Sequence, residues 1–233
     1  MKLNQLKYTE IKKYLEKKDC LIIPVGTCEQ HGPHLPLCSD TIVAERICDE
    51  ISSKYNILVA PTVNYGVNLP IDDNMTGTCG ITYILLKDTL SSITQYWKNQ
   101  GFRHFFVVSC HGDFFHIRAL NDTGDNITVI EPYDVDISDI LERQVCARHA
   151  CEAETSVLLY LYPELVDMSK AIDFDVPIEK FLPYLEHKSS KKLDGYVGNI
   201  GYATYASKEK GKLIYTRMKQ KAEDVIKEYL AKL

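Results

Sequence analysis

CLIIPVGTCEQHGPHLPLCSD, running from Cys20 to Asp40, is the stretch whose reading decides the fold. It opens on an apolar run, Cys20–Val25, and breaks at Gly26. Near-continuous apolarity of this kind marks a strand covered on both faces, as in parallel sheets. Pro24 cannot donate a ladder bond, so the strand ends there or meets an edge. Beyond the break come Glu29, His31, His34 and Asp40, with Pro33 and Pro36 stiffening the segment. Carboxylates bring anionic oxygens and histidines neutral nitrogens, a mixture that zinc, manganese and iron accept. Glu29 and His31 are two apart and share a face in extended backbone. Spacing alone leaves two readings open, a metal site or a polar loop with solvent-exposed histidines, because this is not a standard pattern such as H-E-x-x-H. His34 finds no ligand role and is read as shaping the turn between the prolines.

Outward from this stretch, strands and helices alternate. Residues 5–18 read as a helix with Leu6, Ile11, Tyr14 and Leu15 on one face. After the polar segment, Ser39 or Asp40 caps a helix to about Lys54, and Ile57–Val63 is a second strand. The long loop NYGVNLPIDDNMTGTCG follows, and loops of this length inside compact folds are often functional. A helix at Leu86–Asn99, a strand at Phe105–Ser109, a helix carrying Ile117 and Leu120, and a strand at Ile127–Ile130 come next. Residues 131–147 give no clear pattern. Glu152–Tyr162 is a helix closed by Pro163, 170–195 is loop with a short helix, and Ser207–Lys232 is the last helix. The alternation predicts an α/β fold, three layers α/β/α around a largely parallel central sheet, in one domain spanning 1–233.

Composition narrows the function. Of 233 residues, 45% are apolar and 25% charged, which is ordinary globular material. The net charge of −5 and the scattered basic residues give no footprint for nucleic acid. No apolar run reaches the length of a membrane span, and the N-terminus lacks the apolar stretch of a signal peptide. The eight cysteines form no C-x-x-C pair and read as reduced thiols in a cytoplasmic protein. A soft-metal site built from Cys28, Cys38, Cys110 and Cys151 is the alternative, but nearby oxygen and nitrogen donors explain the region without them.

Two further polar motifs matter. His111-Gly112-Asp113 starts where the third strand ends, and Gly112 allows a sharp turn and close backbone approach. His111 as a core or capping residue is the alternative. The motif HACEAETS, His149 to Ser156, sets an imidazole one turn before a helix bearing Glu152 and Glu154. Acidic residues that merely complement a helix dipole are the other reading there. Ligands of open α/β sheets bind outside the carboxyl ends of the strands. Glu29 and His31 follow the first strand at that end, and His111 and Asp113 follow the third. The convergence of two motifs on one sheet edge favours a metal site.

Glu29-Gln30-His31-Gly32-Pro33-His34-Leu35-Pro36-Leu37, followed by Asp40, resembles the signature of the creatininase family of metal-dependent amidohydrolases. His111-Gly112 resembles that family's N-G-H-G-G-N or N-G-H-x-E-N segment. His149 to Ser156, continuing to Pro163-Glu164-Leu165-Val166, resembles its H-A-G-x-x-E-T-S segment. Gly77-Thr78 and the block from Gly198 to Gly211 extend the likeness over nearly the whole chain. The resemblance implies two divalent metal ions per chain, zinc, manganese or iron. One would be held by Glu29, Asp40 and His111, the other by His31, Asp40 and a further carboxylate, with Asp40 bridging. Family members with a carboxylate two residues after the histidine use Glu, where this chain has the shorter Asp113. Asp113 is favoured as the fifth ligand, with Glu154 behind it in the catalytic machinery and the alternative ligand. His149, with an intrinsic pKa near neutral, is the candidate proton donor to the leaving nitrogen.

Thr78 and Gly112 are the candidate substrate contacts. Cys110 and Cys151 stand where glycines are usual and narrow the pocket. Tyr65, Phe114, Phe115 and Tyr133 are available to line it, although Phe114 and Phe115 serve equally well as core. The implied activity is hydrolysis of a C–N bond in a cyclic or small linear amide by metal-activated water. A formamide deformylase or a peptidase acting on a small modified peptide is the alternative, and a ligand-binding scaffold that kept the fold is the non-enzymatic one. The single tryptophan, Trp97, lies in a predicted helix far from the motifs, which argues against creatinine itself. A homo-oligomer, a hexamer, is implied by the resemblance alone.

Overall fold

The computed structural model describes residues 1–232. Its regular elements are α1 (Tyr8–Leu15), β1 (Cys20–Val25), α2 (Ser39–Tyr55), β2 (Leu58–Val59), α3 (Tyr83–Gln100), β3 (His104–Ser109), α4 (Phe114–Asn121), β4 (Ile127–Ile130), α5 (Glu152–Leu161), β5 (Asp173–Phe174), α6 (Ile178–Leu185), β6 (Gly201–Tyr202) and α7 (Lys208–Leu230). The central sheet has the order β2-β1-β3-β4 and is parallel throughout. β5 and β6 form a separate antiparallel ribbon.

Strand period explains the layering. Successive side chains of β1 point to opposite faces. Cys20 and Ile22 join a core with α2, α5 and α7, through Val43, Ile47, Val157, Ile214 and Met218. Leu21, Ile23 and Val25 join a second core with α1, α3 and α4, through Tyr14, Leu86, Leu90, Ala119 and Leu120. Helices therefore cover both faces of the sheet, and the three-layer α/β/α expectation holds. Pro24 sits inside the strand, paired in register with Val108.

The chain runs from β1 outward to β2, then returns to place β3 on the other side of β1. That reversal is the topological switch of an open α/β sheet, where the loops after two adjacent strands part and leave a crevice. The strands flanking it are β1 and β3, the two that lead into the polar motifs.

Several boundaries move for identifiable reasons. α3 begins at Tyr83, a turn before the expected Leu86, because Thr82 caps it by accepting a hydrogen bond from Leu85 N at 3.3 Å. The strand expected over Ile57–Val63 shortens to Leu58–Val59. Pro61 has no N–H to donate, and past it only an isolated bridge from Val63 to Val25 remains. The helix expected over 5–18 shortens to α1, and a separate 3₁₀ turn at Leu3–Gln5 precedes it.

α7 lies against α5, and the contact depends on a missing side chain. A Cβ on Gly211 would stand 1.8 Å from the carbonyl oxygen of Ser156, a backbone atom that cannot swing aside. Glu152, in the first turn of α5, is buried and fully engaged. It accepts from Lys210 Nζ at 2.7 Å and from Glu142 N at 3.0 Å. Its role is to tie the backbone of Glu142 and Arg143 to α5 and α7. Gly211→Ala is expected to destabilise the protein by about 1–3 kcal/mol, the usual cost of overpacking, seen as a lowered urea midpoint with little change in slope.

Candidate active site

Asp40 is the centre of the site. It stands in the first turn of α2, where the helix dipole favours negative charge. Its Oδ2 lies 3.1 Å from His111 Nδ1, and its Oδ1 lies 3.3 Å from His31 Nε2. His111 Nδ1 is also 3.1 Å from Glu29 Oε2. His149 brings Nδ1 to 3.9 Å from that same Glu29 oxygen, and its ring centroid is 4.5 Å from that of His31. Three overlapping sets of ligand atoms converge: Glu29, Asp40 and His111; His31, Asp40 and Glu154; Glu29, His31 and His149.

The main chain sets the imidazole tautomers. His111 donates from Nε2 to the carbonyl of Val67 at 2.7 Å, His31 from Nδ1 to the carbonyl of Glu29 at 3.0 Å, and His149 from Nε2 to the carbonyl of Gln30 at 2.8 Å. A neutral imidazole has one N–H, so the remaining nitrogen of each ring is a lone pair. Those lone pairs face carboxylates. Both Glu29 oxygens and Asp40 Oδ2 are buried and find no hydrogen-bond donor. Anions and lone pairs held together away from water require positive charge between them. An imidazole fixed through its far nitrogen to a carbonyl is also the usual support of a metal ligand. The donor set, three nitrogens and three carboxylates, suits borderline divalent ions.

Proton affinities express the same demand. Burial pulls the His31 pKa down, but the facing Asp40 carboxylate outweighs it and pushes the value up to about 10. His111 is likewise raised well above its ordinary value, against burial, by Glu29 and Asp40. Asp40 and Glu29 are lowered in spite of burial, Asp40 by His31 and His111, Glu29 by His111 and His149. Glu154 behaves differently. Burial raises it to about 8, though Ala150 N donates to its Oε2 at 2.6 Å. Ala150 adopts the left-handed region, φ 49°, to aim that amide.

Asp113 stands apart from this convergence. One oxygen caps α4 by accepting from His116 N at 2.8 Å, and the other accepts from His187 Nε2 at 2.7 Å. It borders the cleft, but the short side chain is spent on these two partners, and Glu154 occupies the place beside His31 and Asp40. Gly112 also lies on the cleft wall. Thr78 faces inward to the loop, where its hydroxyl accepts from Gln30 N at 3.0 Å. His34 is buried and hydrogen-bonds Thr155 Oγ1 through Nε2 at 2.9 Å, joining the motif loop to α5. The converging ligand groups contain no cysteine among the described residues. Burial raises Cys110 well above the ordinary thiol value and Cys151 to about 11, so both are protonated thiols.

Some participants were not visible in the sequence. Gln30 holds His149 by its carbonyl, while its side-chain amide donates to the buried Asp72 at 2.8 Å and that carboxylate also accepts from Tyr196 at 2.9 Å. Val67 and Asp72 belong to the long loop already flagged by its length. The cleft over the site holds about 500 Å³. Of the aromatic candidates, Tyr133 lines it, whereas Tyr65 and Phe114 are exposed and Phe115 packs on His187. Trp97 stacks on Phe105 in the core on the α3 side.

The fold and the site together define an open α/β protein with a histidine–carboxylate cluster, of metal-ligand donor type, at its switch point. Residues 4–226 match the family model described as creatinine amidohydrolase, and the chain belongs to the creatininase family of hydrolases. Creatinine amidohydrolase of Pseudomonas putida is 26% identical, over 97% of this chain and 96% of its own. The 3-dehydro-scyllo-inosose hydrolase of Thermotoga maritima is 27% identical over 87% and 75%. The mycofactocin precursor peptide peptidase of Mycolicibacterium smegmatis is 26% identical over 90% and 85%. A crystal structure of creatinine amidohydrolase superposes with a TM-score of 0.81 at 22% identity, covering 98% of this chain and 97% of the other. A manganese creatininase superposes at 0.78 with 23% identity, and a mutant creatininase of the Zn–Zn type at 0.79 with 23%, each over 98% of this chain and 98% and 97% of theirs. No helix of the described residues is long and apolar enough to cross a membrane.

His34 generates a pH prediction. Burial, aided by the neighbouring His31 and His149, lowers its pKa to about 4. Above roughly pH 6.5 the ring is neutral in both folded and unfolded chains. As pH falls from there to about 4, only the unfolded chain takes the proton, so stability declines across that window. His34→Gln should flatten the decline by up to about one proton in the slope of unfolding free energy against pH, measured by urea titrations between those limits.

Proposed function

We propose that this protein is a dinuclear metal-dependent amidohydrolase that cleaves a C–N bond in a cyclic or small linear amide. The observation that carries the reading is the convergence of bare imidazole nitrogens and donor-less buried carboxylates on Asp40. Glu29, Asp40 and His111 would hold one ion; His31, Asp40 and Glu154 would hold the other, with Asp40 shared. Glu154 takes the fifth position in place of Asp113, because its carboxylate is the one beside His31. Manganese and zinc, named for similar structures, both fit this donor set. Bound ions would supply an acidified water and a polarised substrate carbonyl.

The chain's own groups do the rest. Burial, the largest influence, lowers the His149 pKa to about 4, so the ring rests neutral. His149 Nε2 meets two groups of Gln30, the carbonyl at 2.8 Å and the side-chain amide nitrogen at 3.0 Å; in the tautomer that donates to the carbonyl, Nδ1 accepts a proton from the attacking water and passes it to the leaving nitrogen. Gln30 fixes that ring, and Asp72 with Tyr196 fixes Gln30. Tyr133 and Cys110 close the cleft around the reacting amide. A second reading, a peptidase acting on a small modified peptide, uses the same residues and is favoured by the peptide peptidases among the relatives. Assembly as a homo-oligomer, a hexamer, belongs to this proposal, and sedimentation velocity measures it.

Protein purified with divalent ions should carry about two per chain. Asp40→Asn should lose both, and Glu154→Gln should fall to about one while Asp113→Asn keeps the wild-type content. Elemental analysis decides, and unchanged content in Glu154→Gln would return the fifth position to Asp113. Separately, His149→Ala should keep its metal and lose hydrolysis by about a hundredfold or more. Turnover of lactams, formamides and short peptides is the assay, and near-normal rates would remove His149 from proton transfer.

A further inference from the structure

α6 contributes nothing to the ligand cluster, yet it stands over it. Its apolar residues Ile178, Phe181 and Leu185 fall at i, i+3 and i+7, one face of a helix, and all three line the cleft above the site. A stripe of this kind normally turns into a core. Phe181 does so, with 3% exposure, but Ile178 stays 58% exposed at the cleft. The helix is fixed in this attitude from both sides. Phe181 and Tyr184 belong to a small core of their own with Leu69 and Ile200, separate from the two sheet cores. Just past the helix, His187 takes the left-handed region at φ 53° and donates to Asp113. The stripe is held facing the chamber.

Resting on the amidohydrolase reading above, we propose that α6 is the specificity wall of the site, and that the substrate carries an aliphatic or aromatic substituent beside its scissile amide. That substituent lies against Ile178, Phe181 and Leu185. The wall has no side-chain donor or acceptor, so a polar substituent placed there loses its water without repayment. A small flat ring lacking the substituent leaves the wall wet. A cleft of about 500 Å³ holds an amide together with a side chain of leucine or phenylalanine size.

The test is a chain-length series of linear hydroxamates, from acetyl to hexanoyl with phenylpropionyl, titrated by calorimetry into metal-loaded protein of measured metal content. Kd should fall about fourfold per added methylene until the wall is covered. Ile178→Asp, at an exposed position that threatens no core, should abolish that dependence. Leu185→Ala should weaken it. A flat series in the wild-type protein overturns the proposal. So does an unchanged slope in Ile178→Asp, and if that variant's sedimentation coefficient falls as well, the stripe is a contact with a second copy. Metal content separates this failure from that of the parent reading. Should the protein take up no divalent ion, the series is repeated with linear primary amides, which need no ion to meet the wall. A slope there sustains the wall, and a flat response removes it.

Discussion

Everything at this sheet edge follows from one electrostatic constraint. Glu29 and Asp40 are buried carboxylates bordering the cleft, and the groups nearest to them are imidazole nitrogens whose far-side protons are held by main-chain carbonyls. Such an arrangement is costly unless positive charge occupies the centre. In the absence of an ion, a second proton on the inward nitrogen of His31 and of His111 meets the demand in part, which is why both proton affinities are raised. Divalent cations meet it more completely, since one cation satisfies several donors at once. A merely structural hydrogen-bond network would have turned the N–H groups inward. Here they are committed outward to the carbonyls of Val67, Glu29 and Gln30, and the interior is left rich in electron pairs.

That costly cluster persists because the scaffold around it is cheap to build. β1 and β3 are apolar on both faces and are covered by helices from two sides. Their register brings Val25 opposite Ser109, so the chain leaves both strands at the same level, on either side of the topological switch. The motif after β1 and the motif after β3 therefore meet without long reach. α5 supplies the third side, with Ala150 strained into place to direct its amide at Glu154. Strain and unpaired charge concentrate at the site, while burial in the two cores outweighs them.

The sheet and its layers were legible because their signal is local. Six consecutive buried residues in Cys20–Val25 announce a central strand whatever follows. His31, Asp40 and His111 were legible because residue type, spacing and sheet-end placement agree. What the sequence hid depends on distance through space. The carbonyls of Val67 and Gln30 orient two imidazoles, and no side-chain pattern encodes a carbonyl. Asp72 gave no sign in a loop rich in Asn and Asp, although it is fully buried under Tyr196. α6 was reduced to an unspecified short helix, because eight residues interrupted by Pro183 carry little periodicity on their own.

The contrast between Asp113 and Glu154 shows how one methylene redistributes roles. A carboxylate two residues after His111 leaves the strand at the mouth of the cleft. The aspartate closes on the first turn of α4, a conformation that aspartate favours at a helix N-cap and glutamate does not. Its second oxygen is then presented outward, where His187 takes it. Asp113 thereby anchors the segment carrying α6 over the cleft. In the proposed reading, Glu154 supplies the ligand from α5, while Asp113 fastens the segment that carries α6 over the cleft.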